Sequence, residues 1–271
     1  MGAGVIEQAA IAERFLEARR AATGLDSYPG PFPATLDEAY AIQDQAITGW
    51  GRRVLGWKVG RVPPPYAERF GTDRLAGPIF AQTDAPDGAV TDMPAFAGGF
   101  AAGEAEFLLQ LSAAPPAGKS DFTLEEAAAL IGAVHVGVEI ASSPLASINA
   151  LGPVAVVSDF GNNNGLLVGA EIADWRASGF EQWPVTLLID GDAVGEGNAA
   201  SFPDGAIGSA RFLFELMAQR GITLEAGQWI STGAVGGVHA ARLGQIVEAR
   251  FGDAASLRCR LVPQQPATDE G

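Results

Sequence analysis

Apolar residues recur at helical spacing over residues 6–21, and a second amphipathic run opens at Thr35, with Glu38 three positions on. A Thr-x-x-Glu start of this kind lets side chains cap the first turn of a helix. Between the two runs, Tyr28-Pro29-Gly30-Pro31-Phe32-Pro33 has the composition of a linker. From residue 54 the pattern changes to short apolar runs punctuated by Gly and Pro, which predict strands at 54–59, 107–111, 154–157, 166–168, 185–189, 229–232 and 246–251. A longer apolar run covers 133–141, and helical spacing returns at 123–133 and 207–219. Asp190-Gly191, between Leu188-Ile189 and Ala193-Val194, supports the positive φ angles of a tight hairpin. Strands dominate without regular strand–helix alternation, so the expected class is α+β, built on a large mixed sheet. The expected organisation is an N-terminal helical segment (1–53), a body (54–263) and a frayed tail (264–271).

With 271 residues, 48% of them hydrophobic, the chain can bury a full core. Its net charge of −15, without any Lys/Arg cluster, argues against nucleic acid and anionic membrane surfaces as partners. The first twenty residues mix acidic and basic side chains, and no apolar run reaches membrane-spanning length, so a cytoplasmic location is expected. The lone Cys259 excludes an intrachain disulfide and has the setting of a small core residue. Gly233-Ala234-Val235-Gly236-Gly237 lacks the spacing of a dinucleotide-binding loop.

Candidate chemistry centres on Gly103-Glu104-Ala105-Glu106-Phe107-Leu108-Leu109-Gln110-Leu111, where two carboxylates two residues apart on a strand share one face. Glu139 interrupts the apolar run 133–141, where an ionised carboxylate costs several kcal/mol unless a cation or hydrogen-bond donors compensate it. Three carboxylates without Cys or clustered His form a hard, all-oxygen donor set suited to Mg²⁺ or Mn²⁺. Lys58 is a cation out of keeping with its apolar strand neighbours, and Asp159 precedes Phe160-Gly161 as an acid or as the start of an Asx-turn. His135 alternates with Val134, Val136 and Val138 as a core histidine would, while His239, after Gly236-Gly237, is a candidate pocket residue.

The order Gly56-Trp57-Lys58-Val59-Gly60, Glu104-x-Glu106, Val138-Glu139-Ile140, Ser158-Asp159-Phe160-Gly161-Asn162-Asn163 and Ser231-Thr232-Gly233-Ala234 resembles the fumarylacetoacetate hydrolase superfamily. Within it the chain is most similar to 2-keto-4-pentenoate hydratases and 2-oxo-3-hexenedioate decarboxylases, from about the second helix to the end. The resemblance implies a mixed β-roll with N-terminal helices, and Mg²⁺ or Mn²⁺ on Glu104, Glu106 and Glu139. The implied substrate is a small 2-oxo or 2-hydroxydienoic acid chelating that metal. Lys58 would then bind the substrate carboxylate or stabilise an enolate. Asp159 would hold Lys58, orient a metal-bound water or relay a proton, and Thr232 and Gly233 would contact a substrate oxygen. The implied reaction is hydration of 2-hydroxypenta-2,4-dienoate to 4-hydroxy-2-oxopentanoate. Alternatives are decarboxylation of a 2-oxo-enedioate, with Arg61 on the distal carboxylate, acylpyruvate C–C hydrolysis, and a non-catalytic assembly role. The hydrolytic alternative ranks lower because no histidine precedes Glu104. Homo-oligomerisation and pairing with another enzyme of the same pathway are also implied. The chain departs from the pattern in three places: Leu75 stands at a usually acidic position with Asp73 nearby, Arg61-Val62 precedes Pro63-Pro64-Pro65, and Asn162 replaces a common Ser.

Overall fold

Helices α1 (Ala3–Ala21) and α2 (Leu36–Trp50) form where the apolar spacing predicts them. The computed structural model describes residues 3–86 and 88–267. The Thr35 side chain accepts from the Glu38 N–H at 3.2 Å, and α2 ends at Gly51 in the left-handed region, φ 69°. Within the linker, Tyr28 packs edge-on against Phe15 and Phe32.

The strands are β1 (Gly56–Arg61), β2 (Arg74–Ile79), β3 (Gln82–Asp84), β4 (Val90–Ala95), β5 (Phe100–Leu111), β6 (Ile131–Ser143), β7 (Asn163–Glu171), β8 (Val185–Ile189), β9 (Asp192–Gly197), β10 (Trp229–Ser231), β11 (Ile246–Phe251) and β12 (Ala255–Pro263). Between them lie α3 (Pro64–Phe70), α4 (Leu124–Ala129), α5 (Pro153–Ser158), α6 (Trp175–Ser178) and α7 (Gly205–Arg220). They build two mixed sheets, of order β2-β1-β10-β5-β6-β7-β3 and β4-β12-β11-β8-β9. The α+β class expected from the strand pattern is the one observed.

The long antiparallel pair β5–β6 divides the molecule. Its odd-numbered β5 residues Ala105, Phe107 and Leu109 and even-numbered β6 residues Val134, Val136 and Val138 enter the core shared with Leu187, Val247 and Phe251 of the second sheet. The Phe107 ring meets Phe251 and Phe180 edge-on at 5.2 and 4.9 Å. Because side chains alternate, the opposite face of the same pair carries Glu104, Glu106 and Glu139. Core packing thereby sets the register that aims the carboxylates.

Three local expectations change. Residues 154–157 belong to α5 and not to a strand: so short an apolar run fits either, and Pro153 at the first helical position after Gly152 tips it to helix. The helix expected over 123–133 stops at Ala129, and the chain enters β6 at Ile131. The tail is docked as far as Ala267, since the N–H groups of Gln264 and Ala267 donate to the carbonyls of Ala95 and Arg20; residues 268–271 of the expected frayed tail lie outside the described residues. The Asp190-Gly191 turn joins β8 to β9 with φ of 50° and 93°, as expected. Cys259 is fully buried, and burial pushes its thiol pKa up to about 12. Among the described residues no helix is long and apolar enough to cross a membrane.

Candidate metal and substrate site

Glu104 and Glu139 face each other directly across the β5–β6 ladder, and Glu106 follows two residues on, opposite Gly137. One oxygen from each carboxylate falls within 4.8 Å of the others, and all three residues are buried. Glu106 Oε2 accepts from the Ser231 hydroxyl and from the Gly233 N–H at 2.8 Å. Glu139 Oε1 accepts from Asn163 Nδ2 at 3.0 Å and lies 3.2 Å from Lys58 Nζ. The second oxygens, Glu106 Oε1 and Glu139 Oε2, are buried without a partner among the described residues. Two carboxylates each fixed through one oxygen and free at the other form a metal-ligand arrangement with its outer support in place.

Burial raises the Glu104 pKa to about 7 and Glu139 adds to the rise, while Lys58 opposes it. Burial, reinforced by Glu139 and Glu104, also holds Glu106 well above the usual carboxylate range. Three buried carboxylates thus share the single ammonium of Lys58. A hard divalent cation, Mg²⁺ or Mn²⁺, fits both the all-oxygen donor set and the unpartnered oxygens.

Lys58, on β1, has Gly77 of β2 on one side and Ser231 of β10 on the other. Lys58 is 4% exposed, and its ammonium donates to Asn162 Oδ1 at 3.2 Å. Burial penalises that charge, but Glu139, Glu104 and Glu106 together outweigh the penalty and raise the pKa above that of an ordinary lysine. In the metal-free site Lys58 is thus a cation and a hydrogen-bond donor.

Asn162 comes from a turn in which Phe160, Gly161 and Asn162 are all left-handed, at φ 54°, 64° and 56°. Asparagine tolerates that region, whereas for phenylalanine it costs about 1–2 kcal/mol. The Phe160 ring is caged by Phe80 and Trp50, at 4.9 and 6.0 Å, and by the Arg19 guanidinium at 5.0 Å. The turn reaches Lys58 because Gly77 has no side chain: a Cβ there would lie 2.2 Å from the Phe160 carbonyl oxygen.

Asp159 does not hold Lys58. It is buried against Arg19, whose Nε donates to Oδ1 at 2.5 Å, and Lys58 is held by Glu139 and Asn162 instead. The Thr232 hydroxyl donates to the Phe107 carbonyl and the Gly233 N–H to Glu106, so both donors are engaged within the frame. Their role here is to fix β5 and its carboxylate. His135 is bonded through Nδ1 to the Gly169 carbonyl and packs edge-on against Trp229, the structural role expected of it. His239 does not line the cavity; its Nε2 is spent on the Gly236 carbonyl, and Val238 takes the place in the wall.

A cavity of about 510 Å³ opens over Glu104 and Lys58. Its polar wall includes Asn149 and Asn162, and Leu75, Tyr66 and Val156 supply apolar surface. Arg61 also lines it; the residue is exposed, with its guanidinium 5.5 Å from the Phe202 ring. Leu75 is buried, and Asp73 is exposed and pairs with Arg74 at 3.6 Å, so neither puts a carboxylate in the cavity. Arg19, Asn149, Asn163 and Tyr66 were not singled out from the sequence. For Arg19 a signal exists: it continues the buried stripe Ile11, Ala12, Phe15 and Leu16 at helical spacing.

No protein-family model matches the chain. Among solved structures, 4-oxalocrotonate decarboxylase from Pseudomonas putida G7 complexed with magnesium and adipate aligns with a TM-score of 0.78 at 19% identity, over 95% of this chain and 98% of that one. This chain has the fumarylacetoacetate hydrolase type of fold. The same decarboxylase complexed with calcium and acetate gives 0.76 at 20% identity, with the same coverage. Fumarylpyruvate hydrolase from Pseudomonas aeruginosa, in complex with Mn²⁺ and pyruvate, gives 0.58 at 15%, over 78% of this chain and 90% of that one. The mixed β-roll with N-terminal helices implied by the motif order is therefore the observed architecture. At such identities the likeness speaks to the fold, and the reaction must be argued from the site.

Proposed function

We propose that this chain is a divalent-metal-dependent lyase acting on a small 2-oxo or 2-hydroxydienoic acid, with Mg²⁺ or Mn²⁺ held by Glu104, Glu106 and Glu139. The observation that carries this reading is the pair of unpartnered oxygens, Glu106 Oε1 and Glu139 Oε2, buried in the carboxylate cluster whose third member, Glu104, lines the cavity with Lys58. A bound divalent ion supplies Lewis-acid stabilisation of negative charge on a 2-oxo oxygen, the requirement shared by ketonisation, conjugate addition and vinylogous decarboxylation.

The chain's own residues supply the rest. Lys58, which lines the cavity and is held by Glu139 and Asn162, binds the substrate carboxylate or the developing enolate oxygen by a charge-assisted hydrogen bond. Asn162 orients that ammonium, and Asn163 holds Glu139 with one oxygen free. The apolar wall of Leu75, Tyr66 and Val156 excludes water from the carbon skeleton. Hydration of a 2-hydroxy-2,4-dienoate is the first assignment, with Nδ2 of Asn149, whose Oδ1 is taken by Asn162, available to bind the attacking water. The exposed Arg61 favours a second reading, decarboxylation of a 2-oxo-enedioate, because it places a cation at the cavity for a distal carboxylate. Leu75, which leaves that wall without an acid, points the same way. Acylpyruvate hydrolysis is not proposed, since neither histidine lines the cavity.

Purified protein with Mn²⁺ or Mg²⁺ should bleach the absorbance of 2-hydroxypenta-2,4-dienoate without releasing carbon dioxide if it hydrates. Carbon dioxide release from 2-oxo-3-hexenedioate identifies the decarboxylase. Turnover of neither compound with either metal refutes the lyase reading.

A further inference from the structure

Building on the metal site proposed above, we infer that Arg19, on the N-terminal helix α1, is a positioning residue of that site, clamping the turn that delivers Asn162 to Lys58 and Asn163 to Glu139. Arg19 is 5% exposed, and all three of its guanidinium nitrogens are engaged. Nε donates to Asp159 Oδ1. Nη1 reaches the Asn163 carbonyl at 3.3 Å and Asn164 Oδ1 at 3.4 Å, and Nη2 reaches the carbonyls of Ser142 and Asp159, both at 3.3 Å. One side chain thus ties the end of β6 to both flanks of the left-handed segment. Its guanidinium also lies over the ring of Phe160, the residue least suited to that backbone conformation.

The consequence runs through two amides. Asn162 accepts from Lys58 and donates to Asn149 Oδ1 at 3.0 Å, while Asn163 donates to the oxygen of Glu139 that also faces Lys58. If the turn relaxes, Glu139 loses the donor that orients it, and outer-sphere partners of this kind are worth about 10- to 100-fold in metal affinity. Lysine cannot substitute, because a single ammonium does not span the acceptors that the planar fork reaches. Asp159, expected to work on the substrate side, acts on this reading as the counter-charge that makes a buried Arg19 tenable.

The test is a double-mutant cycle on the full chain, reading Mn²⁺ affinity by isothermal titration at a temperature where circular dichroism shows each variant folded. Arg19→Lys and Asn163→Ala should each weaken Mn²⁺ binding about tenfold. The double variant should be little worse than either alone, since Arg19 acts through Asn163. If Arg19→Lys does not fold, Arg19→Met combined with Asp159→Asn, which leaves no unpaired buried charge, takes its place in the cycle. Wild-type Mn²⁺ affinity in a folded Arg19 variant, or additive losses in the cycle, overturns the inference. Failure of the wild type itself to bind Mn²⁺ overturns the metal site, and the inference with it, and is read in a different sample.

Discussion

The acidic cluster should make the stability of the metal-free protein fall with rising pH and leave that of the metal-loaded protein nearly unchanged. Glu104 has a folded-state pKa of about 7 against an ordinary 4.5, because it is buried and Glu139 lies beside it. Between those values the folded metal-free chain keeps a proton that the unfolded chain releases, so stability falls as pH rises through this window and the loss is complete above about 7. At about 1.4 kcal/mol per pH unit, Glu104 alone destabilises the metal-free protein by about 3 kcal/mol at the upper end of the window. Glu106, raised in the same direction, adds to the effect. For a chain of this size that corresponds to a fall in Tm of about 6 °C. With saturating Mn²⁺ the site is ionised in the folded chain as it is in the unfolded one, so Tm should be nearly flat across the window while Mn²⁺ affinity rises with pH up to about 7 and then levels off. Thermal melts from about pH 5 to about pH 8, in chelator and in excess Mn²⁺, measure both slopes. Subtracting the same melts on Glu104→Gln removes the contribution of titrating groups outside the cluster. A wild-type-minus-variant difference in chelator that is flat, or that climbs with pH, would refute the assignment of a strained acidic cluster.

Other perturbations separate the roles of individual residues. Glu139→Gln should weaken Mn²⁺ binding at least about tenfold in calorimetry, because it removes a ligand and the main partner of Lys58. Lys58→Met should leave Mn²⁺ affinity within a small factor and lower kcat by about 10²-fold or more, as expected for a donor needed only where charge develops. Arg61→Met should raise KM for a dicarboxylate about tenfold and leave a monocarboxylate unchanged; equal effects on both would remove Arg61 from substrate selection. Gly77→Ala should destabilise by about 1–3 kcal/mol in urea unfolding, since its new methyl meets the backbone carbonyl of Phe160, which cannot rotate away.

Much of the site is legible along the chain because its signals are local. Two glutamates at i and i+2 on an apolar strand share a face whatever the strand packs against, and Glu139 and Lys58 each stand out as charges in apolar runs. The same logic reaches α1, α2, the body of α7 and the β8–β9 hairpin, all written in spacings of a few residues. What it misses is decided by pairing across long stretches of sequence. The run 154–157 has no period of its own and becomes a helix through Pro153 and through burial of Ala155 in the apolar cluster that also holds Phe15 and Ile42. Thr232 and Gly233 turn inward because the register of β10 on β5 brings them to Phe107 and Glu106. Arg19 and Asp159 are 140 positions apart, and neither spacing nor composition at one announces the other. The sequence by itself determined the carboxylate donor set, the lysine and the α+β class, since each follows from side-chain periodicity and the cost of burying charge. Only the tertiary structure decided which donors stay free for a ligand and which are consumed in holding the frame, because hydrogen-bond capacity is allocated by three-dimensional neighbours, not by chain neighbours.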